Sequence, residues 1–431
     1  MQNNVNENLM RFLRACPSVF HVVAELKREL RENGFTPLEE SEPWDLKPGG
    51  KYFVSRNSSS LISFVLPTAT PDCFHIIASH SDSPCFKVKP GPAIPAEGGL
   101  LKLNVEKYGG SIETSWFDRP LSLAGRVLLD LGDRLEERLV AFDRDLLMIP
   151  SLAVHLTRGS SEAGKPVNIQ TDMLPVLGSG KDAELLRRML AGELSVRQEQ
   201  ILSADLFLYN RAAPTLWGAE REFLSAPKLD DLECCYCSFL GLLNTRPSDA
   251  GRVSVHCVFD SEEVGSKTRQ GADSTFLSGT LARICPDPEA LRRIAAGSFL
   301  ISADNAHAVH PNYAQMSDPV NRPALNRGIV IKYQAEQRYA TDAVSAAILK
   351  KLCLKHDIPF QEFTNRSDLI GGSTLGKLSI AHVPLRTVDI GLPQLAMHSC
   401  FETAGAADPK ALVRLSEAFY GEALPAVRSA G

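Results

Sequence analysis

Four β-prone runs in this chain each lead into a small group of histidine, aspartate and glutamate residues. The runs cover residues 74–79, 253–259, a segment ending at 301, and 386–390. The groups that follow them are His80 with Asp82, Asp260 with Glu262 and Glu263, Asp304 with His307 and His310, and His398. Sites in open α/β sheets form beyond the carboxyl ends of the strands. These side chains are therefore predicted to converge on one site.

The order of helices and strands predicts an α/β fold with a mixed sheet. An apolar stripe at helical spacing begins after Ser18 and ends at Asn33-Gly34, which predicts a first helix. Further helices are expected after Leu232, Thr341 and Asp408, in alternation with the β-prone runs. Asp230 and Asp231 precede the helix expected after Leu232 and add a fifth polar group to the four at the strand ends.

The length of the chain and a change in its character predict two domains. A chain of 431 residues is about three times the size of a typical domain. Glycine and proline recur between residues 89 and 221 among short β-prone segments, so this part is predicted to be a mostly β inserted domain. The main domain would then be discontinuous, with residues 1–88 plus 222–431. The alternative is a set of long loops on one domain.

Composition excludes several classes of protein. Lysine and arginine number 46 against 51 aspartates and glutamates, so the net charge is −5, which argues against nucleic acid as a partner. We expect no membrane span, because no apolar run approaches the roughly 18–20 residues that one needs. No secretory signal is visible at the N-terminus. Ten cysteines are too few for a disulfide scaffold, so we expect reduced thiols and a cytoplasmic location.

The side chains at the strand ends are of the types that bind divalent metal ions. Imidazole and carboxylate groups suit Zn²⁺, Mn²⁺ or Co²⁺. Two such ions can share one carboxylate and activate a water molecule between them. With three ligating carboxylates the two ions would keep a net charge of +1, which favours deprotonation of that water.

Two local spacings fit this chemistry. Glu262 and Glu263 are adjacent, and neighbouring side chains at a strand end point to different sides. One glutamate can therefore bind metal while the other stays free as the general base. His80 and Asp82 lie two residues apart, which on an extended segment puts them on one face, where the carboxylate can orient the imidazole.

Each of these signals has an ordinary structural alternative. Adjacent glutamates are usually solvated surface charge, and Asp230-Asp231 can serve as a helix cap. The run Glu233-Cys234-Cys235-Tyr236-Cys237 lacks the second cysteine or histidine pair of a thiolate zinc site, so its cysteines are interpreted as core residues.

The order of the short motifs HSD, LDD, SEE, SAD and AMHS, together with longer ones, resembles the aspartyl aminopeptidase family of dinuclear zinc exopeptidases. The longer motifs are HSDSP, YGGSIETSWFDRPLSLAGRV, DSEEVGSKTRQGA, SADNAHAVHPNY and IKYQAEQRYATDA. The resemblance covers essentially the whole chain. It implies a phosphorylase/hydrolase-like zinc exopeptidase domain with an inserted β-rich dimerisation domain. It also implies hydrolytic release of N-terminal aspartate or glutamate from peptides.

The resemblance also implies roles for individual residues. Asp230 would bridge two metal ions, most simply Zn²⁺, with His80 and Asp304 on one ion and Glu263 and His398 on the other. Glu262 would be the general base, and Asp82 would orient the site. The remaining implied roles concern substrate and assembly: Lys332 and Tyr339 receive the acidic side chain of the substrate, and His155 reaches the active site of a neighbouring subunit. His307, in SADNAHAVHPNY, is interpreted as facing the substrate or the ligands, and a structural role remains open for it and for Lys332 and His155.

Some features depart from the family pattern. Asp231 stands where the family more often has asparagine, which adds a carboxylate near the metals. Pro120, in SIETSWFDRP, removes a backbone donor in the insert. The resemblance further implies a homo-oligomer, a dodecamer built from dimers. Two other functions stay open: a related dinuclear hydrolase, such as a neutral-residue aminopeptidase or a deacylase, and a catalytically silent assembly protein.

Overall fold

The computed structural model describes residues 2–158 and 165–427. In these residues there are eleven α-helices: α1 (Gln2–Ala15), α2 (Val19–Glu32), α3 (Val154–Thr157), α4 (Ile169–Asp172), α5 (Leu185–Leu194), α6 (Leu229–Leu243), α7 (Phe276–Ile284), α8 (Pro288–Ala296), α9 (Ala343–Lys355), α10 (Leu375–His382) and α11 (Asp408–Gly421). Short 3₁₀ turns lie at Glu97–Gly99, Glu113–Trp116, Gln198–Gln200, Glu262–Val264 and Ala314–Met316.

Twenty strands accompany these helices in the same residues. They are β1 (Thr36–Leu38), β2 (Lys51–Arg56), β3 (Ser60–Val65), β4 (Cys73–His80), β5 (Cys85–Ala96), β6 (Leu100–Tyr108), β7 (Leu121–Asp130), β8 (Leu135–Ala141), β9 (Val176–Ser179), β10 (Ile201–Asn210), β11 (Thr215–Trp217), β12 (Phe223–Ala226), β13 (Arg252–Phe259), β14 (Phe299–Ala303), β15 (Ala306–His307), β16 (Ile329–Tyr333), β17 (Phe360–Thr364), β18 (Arg386–Gly391), β19 (Pro393–Leu395) and β20 (Glu402–Gly405).

The largest sheet has nine strands in the order β1-β2-β3-β13-β4-β14-β18-β16-β17. Its centre is parallel, since β13, β4, β14 and β18 pair in the same direction, while β3 and β16 run antiparallel to their neighbours β13 and β18. The predicted mixed α/β fold is confirmed.

Both faces of this sheet are covered by helices. Along β4, Phe74, Ile76 and Ala78 pack on the side of α7, α8 and α10, whereas Ile77 packs on the side of α1, α2, α6, α9 and α11. Successive strand residues point to opposite faces, so a strand buried on both sides reads as a continuous apolar run. This burial fixes the register that places His80, the last residue of β4, at the carboxyl edge of the sheet.

A second, antiparallel sheet has the order β8-β7-β10-β5-β6-β9 and its own apolar core, which includes Phe86, Trp116 and Leu123. It spans residues 85 to 210, so β5 crosses the boundary predicted at residue 88. β11 also falls in the predicted insert, but it pairs with β12 in a five-stranded sheet of order β11-β12-β20-β19-β15. The division into two domains stays a prediction, which this separate core supports.

Three further expectations concern single features. Ser18 precedes α2 at the capping position, but its hydroxyl contacts His21 Nδ1 at 2.8 Å and makes no capping hydrogen bond to the backbone. All ten cysteines lie in the described residues, and none forms a disulfide there. Among the helices of the described chain, none combines the length and the apolar character needed to cross a membrane.

Candidate active site

The predicted metal ligands meet at the carboxyl edge of the nine-stranded sheet. His80 ends β4 and stands opposite Phe259, the last residue of β13, while Asp304 directly follows β14. Asp230 lies at the start of α6, and a cis peptide bond joins it to Asp231. All of these side chains except that of His398 are buried or nearly so.

Asp230 lies between the two histidines. Its Oδ1 is 3.4 Å from His80 Nε2, and its Oδ2 is 3.4 Å from His398 Nε2. His80 Nε2 also lies 4.0 Å from Asp304 Oδ1, and His398 Nε2 lies 3.5 Å from Glu263 Oε2. The structure therefore brings all five predicted ligands together, with one aspartate shared by two clusters.

These spacings fit a metal centre better than a hydrogen-bond network. Two atoms that each lie about 2.0–2.1 Å from one tetrahedral zinc ion are about 3.3 Å apart. Asp230 Oδ1 and Glu263 Oε1 are buried and have no hydrogen-bond partner among the described residues. A buried carboxylate oxygen without a partner is costly unless a cation satisfies it. The donor set of imidazole nitrogen and carboxylate oxygen therefore fits zinc.

The geometry includes two further carboxylates. Asp231 belongs to the cluster of His80, Asp230 and Asp304, and Glu262 forms a cluster with His80 and Glu263; in each, the possible ligand atoms lie within 4.8 Å of one another. Distance alone thus leaves Asp231 and Glu262 as possible ligands. Asp231 Oδ2 accepts a hydrogen bond from the His80 backbone N–H at 3.0 Å, which gives it a structural task.

The charges of the cluster are strongly coupled. Burial raises the pKa of Glu262 to about 8, and the carboxylates of Asp304 and Asp82 add to that shift. Burial, followed by the negative charge of Asp230, holds the pKa of Glu263 well above its usual range. Burial disfavours the charged form of His80 as well, but the carboxylates around it, Asp231 first, raise its pKa well above the ordinary value. The ligand cluster thus carries more negative charge than its own positively charged groups neutralise.

The sequence predicted that the two adjacent glutamates lie at a strand end, and this prediction is wrong. They lie in the 3₁₀ turn Glu262–Val264, between Ser261 at φ 65° and Gly265 at φ 98°. This turn points their backbone N–H groups at one carboxylate: Asp82 Oδ1 accepts from Glu262 N and Asp82 Oδ2 from Glu263 N, both at 3.1 Å. The different environments of the two side chains therefore come from a tight turn and not from strand alternation.

Asp82 acts on His80 in a way that the spacing alone did not reveal. The closest partner of His80 Nδ1 is the backbone carbonyl of Asp82, at 3.1 Å, and the carboxylate oxygen Oδ1 lies at 3.4 Å. Asp82 Oδ2 also accepts a hydrogen bond from Tyr108 Oη at 2.8 Å. Asp82 is thus connected to both glutamates, to His80 and to the six-stranded sheet.

Sequence reasoning missed two residues that hold the ligands in place. Glu402 is buried, and its two oxygens accept hydrogen bonds from the backbone N–H groups of Asp230, at 3.1 Å, and His398, at 2.7 Å. Tyr108 ends β6, next to Gly109, where an added Cβ would lie 2.9 Å from the Glu263 side chain. The only signal for Tyr108 was its place in the YGG motif, and Glu402 carried none beyond lying four residues after His398.

Lys332, Tyr339 and His307 line the same cavity as the ligand cluster, which has a volume of about 310 Å³. Lys332 is only 3% exposed, and its ammonium donates a hydrogen bond to the Asn305 carbonyl at 2.7 Å and lies 3.9 Å from Asp304 Oδ1. It also lies over the Tyr339 ring at 5.5 Å. Phe363 and the segment 372–374 complete this wall.

His155 and His310 lie outside this cavity. His155 is exposed in α3, and within one chain the structure does not bring it to the cluster. His310 is partly buried and lies 5.0 Å from the Tyr313 ring.

Comparisons with known proteins find zinc metalloproteases of one family. The family model of the aminopeptidase I zinc metalloproteases, M18, matches residues 12–420. The "Probable M18 family aminopeptidase 2" of Clostridium novyi is 42% identical, over 97% of this chain and 100% of that protein. A chain in the cryo-EM structure of the Ape4 and Nbr1 complex is 37% identical, with a TM-score of 0.94 over 97% of this chain and 86% of that one. The S. cerevisiae mApe1 dodecamer is 26% identical, with a TM-score of 0.86 over 97% and 96% of the two chains.

Proposed function

The chain belongs to the M18 family of zinc metalloproteases, and from this membership we propose that it releases N-terminal aspartate or glutamate from peptides at a site with two metal ions. That it is a metallo-aminopeptidase, and so a hydrolase, follows from the family. The selectivity, the number of ions and the residue roles are the proposal. The single observation that carries the selectivity is the buried ammonium of Lys332 in the wall of the cavity that contains the ligand cluster.

We propose that Asp230 bridges the two ions, with His80 and Asp304 on one and Glu263 and His398 on the other. The 3.4 Å spacings on both sides of the Asp230 carboxylate support this division. Zn²⁺ is the first choice, and Mn²⁺ or Co²⁺ suit the same ligands. When bound, such ions polarise a carbonyl group and lower the pKa of a water molecule.

Glu262 is the proposed general base. It lines the cavity, and its N–H is fixed by Asp82, so the carboxylate is positioned without needing to bind metal. Its Oε takes a proton from the attacking water as that water adds to the scissile carbonyl carbon. The same carboxyl group then gives the proton to the departing amine nitrogen, so that the peptide C–N bond breaks without releasing an amide anion.

The surrounding residues would determine which peptides react. A free α-ammonium group is attracted to the excess of carboxylates in the cavity, which favours a chain terminus over an internal bond. Lys332 makes one hydrogen bond, to Asn305, so two of its N–H groups remain for the side-chain carboxylate of the substrate. Tyr339 and His307 line the space beside it. A compact ammonium in a closed pocket favours an acidic residue and disfavours a basic one.

The assembly is proposed on the same basis. A relative with the same fold is described as a dodecamer, and we propose that this chain likewise forms a dodecamer built from dimers. His155 is exposed, and so are the apolar residues around it, Leu152, Val154 and Leu156. We call residues 152–156 the arm. Such an apolar arm suits a contact with another copy, in which His155 would reach the neighbouring site. A cytoplasmic location remains a prediction from the cysteine content.

The decisive experiment compares kcat/KM for chromogenic substrates that begin with Asp, Glu or Leu. We expect the wild-type protein to prefer the two acidic residues, and Lys332→Met to lose about 10- to 100-fold of that preference, as expected for a hydrogen bond to a charged group. Lys350→Met, at a lysine that bonds Glu362 on the surface, is the control and should keep the preference. Equal rates for Asp and Leu substrates in the wild-type protein would instead favour a neutral-residue aminopeptidase.

A further inference from the structure

A second cavity, of about 280 Å³, lies behind the ligand cluster. Its walls come from the start of α2, from β5, β6 and β10 of the six-stranded sheet, and from the segment before α6. It shares no lining residue with the active-site cavity among the described residues. Asp82 and Glu402, which hold the metal ligands from behind, form part of its wall. This cavity is therefore a neighbour of the active site and not an extension of it.

Much of the wall is apolar. It includes Val19, Phe20, Pro84, Trp116 and Phe207. A cavity of about 150 Å³ with such a lining can hold benzene. The cavity beside the active site is nearly twice that size, so it suits an organic molecule of about ten to twelve non-hydrogen atoms.

Four acidic side chains also line this cavity, and each already has partners. Asp205 accepts from Lys87, at 2.8 Å, and from Arg126, at 3.0 Å, and Arg126 also pairs with Glu137 at 3.1 Å. Asp82 accepts from Tyr108 and from two backbone N–H groups. None of these groups therefore needs a ligand.

The remaining two acids are similarly satisfied. Asp260 accepts from the Ser261 backbone N–H at 2.6 Å and from Gln270 Nε2 at 3.3 Å. Glu402 accepts from the backbone of two residues of the active site, as described above. Each of the four carboxylates in the wall of this cavity thus already accepts hydrogen bonds from the protein.

Lys228 is different. It is partly buried at the cavity wall, in a left-handed conformation with φ 59°, directly before α6. Its ammonium makes no hydrogen bond and no ion pair with any residue that the structure describes, and it is not one of the polar atoms that are closed off from solvent. A ligand in the cavity can therefore reach this ammonium, and a carboxylate would give it a partner.

We propose that this cavity binds a small organic monocarboxylate with an apolar body, and that the Lys228 ammonium receives the carboxylate group. The apolar body would pack between Phe20 and Phe207, and the carboxylate would give Lys228 the partner that it lacks. A second carboxylate on the ligand would meet apolar or acidic wall, so dicarboxylates are disfavoured.

The test is isothermal titration of the metal-loaded protein with 3-phenylpropanoate, with the neutral 3-phenylpropanamide as the matched probe. At about 0.3 kcal/mol per non-hydrogen atom, a ligand of this size is expected to bind with a Kd of about 4 mM or tighter. The amide should bind at least about tenfold more weakly, because it lacks the charge that pairs with Lys228.

Three variants separate this cavity from the active site. Lys228→Met should abolish the difference between acid and amide, and Val19→Trp, which fills the cavity without changing its charge, should abolish binding of both. Lys332→Met should leave binding unchanged, because that lysine lies in the other cavity. The proposal is overturned if the difference between acid and amide survives in Lys228→Met, or if binding is lost in Lys332→Met. It is also overturned if the wild-type protein binds acid and amide equally or binds neither.

Discussion

The active-site cavity and the cavity beside Lys228 are close in volume, about 310 and 280 Å³, but their charged groups differ in how they are partnered. The first contains Asp230, Glu262, Glu263 and Asp304 against one ammonium, that of Lys332. In the second, every carboxylate has donors and one ammonium, that of Lys228, has no partner among the described residues. The first cavity thus has an excess of negative charge, whereas the second offers one cation without a partner.

The two lysines show the same contrast at a smaller scale. Lys332 has the Asn305 carbonyl and the Asp304 carboxylate beside it, and its pKa is raised because these charges outweigh the effect of burial. The pKa of Lys228 is lowered because burial is not offset by comparable charges. The direction in which the pKa of a buried lysine shifts therefore depends on the charges beside it as well as on burial.

The largest effect is expected where the excess of negative charge is greatest. Asp230→Asn keeps the size of the side chain but removes the charge that both histidines share, so the protein should lose metal and kcat/KM should fall by at least about 10³-fold. Metal content and kcat/KM measured on the same preparation provide the check. Asp133→Asn, at an exposed surface position, should change neither. An Asp230→Asn protein that keeps full metal content contradicts the role of a bridging ligand.

A second substitution tests the division between the adjacent glutamates. Glu262→Gln should keep its metal but lose about 10²- to 10⁴-fold in kcat with little change in KM, since it removes only the group that moves the proton. Glu263→Gln is the matched comparison and should lose metal. Near-normal kcat in Glu262→Gln would remove the general-base assignment, and loss of metal there would make Glu262 a ligand.

The smallest effect concerns stability, and it has opposite signs in the two cavities. Lys228→Met removes an ammonium without partners, so we expect it to stabilise the metal-loaded protein by about 1 kcal/mol. Lys332→Met takes away a charge that faces Asp304, so it should destabilise the protein by a similar amount. Thermal unfolding followed by circular dichroism measures both, with Lys181→Met on the surface as the reference. A lower Tm for Lys228→Met would mean that Lys228 has a stabilising partner.

The sequence was sufficient to predict the position of those ligands that directly follow a regular strand. His80 and Asp304 follow apolar strands whose direction and burial are evident from residue pattern, so their convergence at one sheet edge could be predicted. The family resemblance added the roles. It could not add the local backbone, and the 3₁₀ turn at Glu262 differs from the predicted strand end because a tight turn depends on Ser261 and Gly265 and leaves no apolar periodicity.

The residues that hold the ligands could not be predicted, for a physical reason. Glu402 lies on β20 of the five-stranded sheet, and Tyr108 on β6 of the six-stranded one, so neither shares an element with the residues it supports. Their contacts arise only when three sheets pack together. Lys228 is a similar case, because its lack of a partner is a property of the folded environment and not of the chain around it.

The hydroxyl of Tyr108 links two parts of this molecule. It reaches from the six-stranded sheet to Asp82, and the glycine after it passes so close to Glu263 that no larger residue fits. Removing the six-stranded sheet would therefore also loosen the carboxylate that accepts from both glutamates, so an engineered variant has to keep this sheet together with the ligand cluster.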